Sequence, residues 1–190
     1  MLLIVSSKHR FSLVLYKLYL MAEYVILVDE HDNELGLMEK IEAHEKGILH
    51  RAFSVFILNH KNQLLLQQRA LHKYHSGGLW TNTCCSHPRQ GESNLEAAHR
   101  RLQEEMGMAA PLKKLLDFVY RAEFDNNMIE HELDHVFVGH SHETPNINPE
   151  EVESYKWMDL EELKKDMAEQ PELYTEWFKI IFNEFYSSVV

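Results

Sequence analysis

A chain of 190 residues with 45% hydrophobic and 26% charged positions, seven Gly and five Pro holds enough apolar material for one packed domain and excludes a collagenous, linker-like or disordered chain. Thirty acidic against 19 basic residues give a formal net charge of −11, which excludes nucleic acid and an anionic membrane as main partners; an anionic substrate needs a local cluster of cations. Two cysteines, adjacent at Cys84 and Cys85, cannot form an ordinary structural bridge, so the chain reads as cytoplasmic with reduced thiols, and 13 His open the way to metal chemistry.

In chain order, the stretch from Phe11 to Ala22 is the most apolar, but Lys17 interrupts it and it lacks a small-x-small cleavage site after Lys8, His9 and Arg10. Residues 1–20 are therefore expected to be an N-terminal extension, and residues 21–190 a single domain. Tyr24 to Val28 reads as a strand entering a turn at Asp29, Asp32 and Asn33. Phe53 to Leu58 and Leu64 to Leu66, separated by Asn59-His60-Lys61-Asn62, read as a hairpin. The polar stretch from Leu71 to Gly91 is expected to be a long functional loop. Ser93 and Glu96 fit a capping box, and Leu95, Ala98, Leu102 and Met106 recur at helical spacing up to a C-capping Gly107. Val119 to Arg121, Leu133 to Val138 and Tyr155 to Met158 read as strands, and the tail from Pro171 as an amphipathic helix. Strands and helices without regular alternation predict an α/β chain of the α+β type, a mixed β-sheet flanked by helices.

Two constellations carry charge in a patterned way. Glu104 and Glu105 sit at the C-terminal end of the central helix, where the macrodipole disfavours anions; a divalent cation or Arg101, one turn away, would compensate, and so would plain solvation. Glu130 and Glu132 share one face if their segment is a strand. Buried, that pair needs a cation; at an exposed edge it needs none.

The helix reads Glu92-x7-Arg100-x-Leu102-x-Glu104-Glu105-x-Gly107-Met108, most of a Nudix box. Ser86 stands where the box opens with Gly, and Arg101 where Glu usually follows the first Arg, and these departures point to one branch. With Arg69-Ala70-Leu71-x-Lys73, the run from Leu79 through Trp80-Thr81-Asn82-Thr83-Cys84-Cys85-Ser86-His87-Pro88, Glu130-His131-Glu132, and the later Trp157 and Trp177, the chain resembles the type 1 isopentenyl-diphosphate delta-isomerases of the Nudix superfamily from about Met21 to Trp177.

The resemblance implies a Nudix fold and conversion of isopentenyl diphosphate to dimethylallyl diphosphate, in isoprenoid biosynthesis, by protonation and deprotonation through a tertiary carbocation. It implies Cys85 and Glu132 as the acid/base pair and His44, His50, His87, Glu130 and Glu132 as ligands of a tightly held Mg²⁺ or Mn²⁺, with Zn²⁺ also suited to the donor set. A second Mg²⁺, arriving with the diphosphate, is implied at Glu105 and Cys85. Lys40, Arg69, Lys73 and Arg101 are implied to bind the diphosphate, Tyr120 to hydrogen-bond beside the reacting carbons, and Trp177 to offer its π face to the cation. A small-molecule substrate, no nucleic acid, no membrane, and a monomer or weak dimer complete the expectation. The alternatives are a Nudix pyrophosphohydrolase using Glu104 and Glu105, and a non-catalytic His-rich metal-binding protein.

Overall fold

A computed structural model describes residues 23–73, 75–124 and 128–189. The expected extension, residues 1–20, lies outside them. In chain order the described elements are β1 (Tyr24–Val28), β2 (Glu34–Glu39), α1 (Lys40–Lys46), β3 (His50–Leu58), β4 (Gln63–Arg69), β5 (Trp80–Thr81), β6 (Cys84–Ser86), α2 (Asn94–Met106), β7 (Leu112–Glu123), β8 (Ile129–His140), β9 (Val152–Asp159), α3 (Leu160–Glu169), a 3₁₀ turn (Pro171–Leu173) and α4 (Glu176–Val189).

The spine is β3, buried on both faces from Ala52 to Leu58, as a strand covered by helices on both sides must be. It runs parallel to β8, pairing His50 with Glu132 and continuing to Leu58 with His140, and antiparallel to β6, pairing Ser54 with Cys85. β7 continues the sheet beyond β8, while β4 holds β9 and β5, and β1 and β2 form a hairpin at the other side. Alternation then divides the core. Phe53, Val55 and Ile57 pack with Leu65 against Ala97, Ala98, Leu102 and Met106 of α2. Phe56, Leu58, Leu64, Leu66 and Val136 pack against Trp177, Phe178, Ile181, Phe182 and Phe185 of α4, with Phe56 and Phe185 stacked at 4.2 Å.

Several expectations match directly. The strand at Tyr24–Val28 and the Asn59-to-Asn62 turn form as read, and α2 begins on the Ser93/Glu96 capping box and ends on Gly107 in the left-handed conformation. Two do not. The expected loop from Leu71 to Gly91 contains β5 and β6, because β3 and β4 offer open edges to them. The tail is not one helix: Pro171 opens a separate 3₁₀ turn, Tyr174 is extended, and α4 starts at Glu176. Among the described residues no helix is long and apolar enough to cross a membrane.

Candidate active site

At one end of the β3/β8 pair the α4-side face stops being apolar. His50 and Ser54 from β3 and Glu130, Glu132 and Asp134 from β8 are buried there, at period-two positions continuous with Phe56 and Val136. His44 arrives from α1 and His87 from the segment after β6. The Nε2 atoms of His87, His50 and His44 converge on Glu132 Oε1 at 2.9, 3.5 and 4.0 Å. One ligand atom from each of these four side chains lies within 4.8 Å of every other.

The imidazoles are oriented for this. Nδ1 of His44 and of His50 each donates to a backbone carbonyl, Lys40 O and Ile48 O, at 2.7 Å, which leaves the Nε2 lone pair facing the centre. Burial holds His44 below its ordinary value and His87 down to about 4, so both are neutral at neutral pH, as a metal-binding imidazole must be. His50 Nε2 is fully buried and has no hydrogen-bond partner among the described residues. Three imidazoles and a carboxylate, one ring nitrogen of them orphaned, fit a divalent ion. Glu130 stands outside this four-residue group, one step along the same face, with its Oε2 3.1 Å from Tyr120 Oη.

Tyr120 Oη, buried on β7, donates to Glu132 Oε2 at 2.6 Å and lies 3.1 Å from Glu130 Oε2. Burial works to raise Glu132, but the hydrogen bond from His87 opposes it and the carboxyl is held well below the usual range; burial and the neighbouring Glu132 charge push Glu130 well above it. Across the strand pair, Cys85 faces the same cavity from β6, and burial pushes its thiol up, so it is protonated at neutral pH.

The four implicated cations line the same cavity. Arg69 lies over the Trp177 ring at 5.0 Å, Lys40 Nζ donates to Glu23 at 2.7 Å, and Lys73 Nζ donates to Glu151. Arg101 reaches Glu105 Oε1 at 2.9 Å, Glu104 at 3.0 Å and Glu151 at 3.2 Å. Every side chain that the resemblance implicates lines one cavity of ≈ 320 Å³, except His50, which sits behind its wall. That volume suits a small substrate.

The NUDIX domain profile matches residues 48–178. The chain is 55% identical, over 83% of its length and 88% of the relative's, to a protein of Pectobacterium atrosepticum named isopentenyl-diphosphate Delta-isomerase. It is 54% identical, over 86% of its length and 92% of the relative's, to isopentenyl-diphosphate Delta-isomerase 2 of Photorhabdus laumondii. The chain belongs to the isopentenyl-diphosphate isomerase family. Among solved structures it is similar in fold to a Deinococcus radiodurans protein (TM-score 0.64, 21% identity, 77% of this chain and 89% of that one) and to a MutT protein of Methanosarcina mazei (TM-score 0.59, 20% identity, 73% and 94%).

For an isopentenyl-diphosphate isomerase, three further side chains stand out that sequence reasoning missed. Glu105 is held by Gln67 Nε2, which donates to its Oε2 at 2.8 Å, and by the Cys84 thiol, 3.4 Å from its Oε1. Cys84 thus faces away from the cavity, as alternation predicts, but onto Glu105. Glu151 joins Lys73 to Arg101, and no motif or spacing marks it in the sequence.

Proposed function

We propose that this cavity converts isopentenyl diphosphate to dimethylallyl diphosphate, with Cys85 and Glu132 exchanging the two protons of the allylic shift. The carrying observation is the meeting of three imidazole Nε2 atoms on Glu132 Oε1 in the cavity that Cys85 and Trp177 also line. His44, His50, His87 and Glu132, with Glu130 beside them, would hold a divalent ion, Mg²⁺ or Mn²⁺ with Zn²⁺ also suited to the donors; bound there, it would fix the orientation of Glu132 and lower its proton affinity. A second Mg²⁺ would enter with the diphosphate on the side of Glu105 and Cys85.

The chain's own groups do the rest. Arg69, Lys73, Arg101 and Lys40 bind and orient the diphosphate. The thiol of Cys85 is protonated and Glu132 is ionised, so the cavity holds one group able to give a proton and one able to take it. Tyr120 fixes Glu132 by a 2.6 Å hydrogen bond. Trp177, 3% exposed, walls off water and presents its π face to the developing tertiary cation, worth up to about 2 kcal/mol when desolvated. Hydrolysis fits less well, because Glu104 is tied to Arg100 and Arg101, and Arg101 stands where the Nudix box usually has a further Glu. We assign the reaction to the reducing cytoplasm, since both thiols are free. Incubation with isopentenyl diphosphate and Mg²⁺ should yield dimethylallyl diphosphate without release of orthophosphate or pyrophosphate; release of either without isomerisation would favour the hydrolase.

A further inference from the structure

Glu151 places one oxygen between two cations of the cavity. Its Oε2 accepts from Lys73 Nζ and from Arg101 Nη2, the latter at 3.2 Å. The backbone pins it there: Glu151 N–H donates to Asn148 O at 2.9 Å, its carbonyl accepts from Ala70 N–H at 3.0 Å, and Asn148 N–H donates to Glu105 O at 2.9 Å. The turn carrying Glu151 is thereby tied both to the end of β4 and to the end of α2. The side chains of Glu151, Lys73 and Arg101 are 23%, 21% and 18% exposed, which sets them where the cavity meets solvent. Glu105 Oε1 holds the same guanidinium, 2.9 Å from Nε and 2.6 Å from the Nη2 that also reaches Glu151.

We propose that Glu151 makes the cavity select a diphosphate that carries a divalent cation over the bare anion. The inference rests on the diphosphate reading of the cavity given above. A bare diphosphate, with about three negative charges, has to compete with Glu151, Glu105 and Glu104 for Lys73 and Arg101 while suffering the like-charge repulsion of these three carboxylates. A diphosphate bearing Mg²⁺ has two fewer net negative charges and brings a cation to the carboxylates as their own cations turn to phosphate oxygens. The repulsion scales with ligand charge, so Glu151 penalises the bare anion most.

Calorimetric titration of the full chain with inorganic pyrophosphate, without added divalent cation and at saturating Mg²⁺, tests this. Wild type should prefer the Mg²⁺ form. Glu151→Gln should strengthen binding of bare pyrophosphate by about tenfold while changing the Mg²⁺ form by less than about threefold. Glu151→Asp should retain the preference. Glu150→Gln removes the same unit of charge from the exposed neighbour, which lies 3.8 Å from His72, and should leave both affinities as they are. Glu151→Ser should move in the same direction as Glu151→Gln, which covers a misfolded Gln variant. If Glu151→Gln and Glu151→Ser weakened both forms, or shifted both by one factor, Glu151 would merely order Lys73 and Arg101 and the inference would fall. Failure of wild type to bind pyrophosphate in either condition would overturn the diphosphate reading itself, and this inference with it.

Discussion

Cys84 and Cys85 are adjacent on β6 and face opposite sides of the sheet, so they form a matched pair of probes. Cys85→Ala should lower kcat by about 10³-fold or more, as expected for loss of an acid/base group, with the fold and the tightly held metal retained. Cys84→Ala should cost less than about tenfold, because Arg101 and Gln67 still hold Glu105. Steady-state kinetics of the two variants checks this, and the reverse ranking would contradict the assignment. His75 supports a pH prediction. Burial, with help from the Arg69 charge, pushes it from the ordinary 6.5 to about 3. The unfolded chain therefore takes up this proton first, and the stability contributed by neutral His75 is complete above about 6.5 and lost as the pH falls toward 3. His75→Phe should flatten the decline of the thermal midpoint between those values; an unchanged slope would refute it. The metal-type residues were legible only through the family resemblance, which picks His44, His50 and His87 out of 13 His; composition and the Glu130/Glu132 alternation alone left a metal site open. Glu151 was not, because its partners Lys73 and Arg101 are distant in sequence and only the tertiary approach of the 148–151 turn unites them.

α2 was the most legible element, since a capping box, 3.6-residue periodicity and a terminal Gly agree on its bounds. Its end also matters most for the site. Asn146 N–H and Asn148 N–H donate to the carbonyls of Met106 and Glu105, satisfying two groups that a helix terminus otherwise leaves unpaired. A Cβ at Gly107, where φ is +61°, would stand 2.3 Å from Asn146 O, so the helix end and the 141–151 segment can meet this closely only at glycine. Gly107→Ala should therefore destabilise the fold by about 1–3 kcal/mol in denaturant titrations and raise KM for the diphosphate substrate, as the turn bearing Glu151 shifts. A neutral Gly107→Ala would show that the segment moves freely. β2 and α1 were not legible. Leu35 and Leu37 alternate correctly for a strand but are 67% and 37% exposed at an edge, and α1 has only seven residues, capped by Glu39 rather than by a Ser, Thr, Asp or Asn. β5 and β6, two and three residues long, exist through pairing with β4 and β3 and carry no periodic signal of their own.

At the scale of the whole molecule, a chain of net charge −11 places Lys40, Arg69, Lys73 and Arg101 around one cavity and pairs Lys40, Lys73 and Arg101 there with carboxylates. Mixed strand order, with β3 parallel to β8 and antiparallel to β6, brings His50, Cys85 and Glu132 together from distant parts of the chain; the fold class was readable from element types, but this register was not. We propose that a protein starting at Met21 keeps this arrangement, since the described core begins with Glu23 on Lys40 and Tyr24 on Glu39. Its turnover and thermal midpoint should match those of the full chain, and loss of either would assign residues 1–20 a part in the domain. The central claim is proton exchange on isopentenyl diphosphate between Cys85 and Glu132, and NMR of the reaction in D₂O with Mg²⁺ tests it most directly. Wild type should place deuterium in the new methyl group of dimethylallyl diphosphate and exchange the proton at C2, while Cys85→Ala, still metal-loaded, should do neither; isomerisation without solvent deuterium, or at undiminished rate in Cys85→Ala, would contradict it.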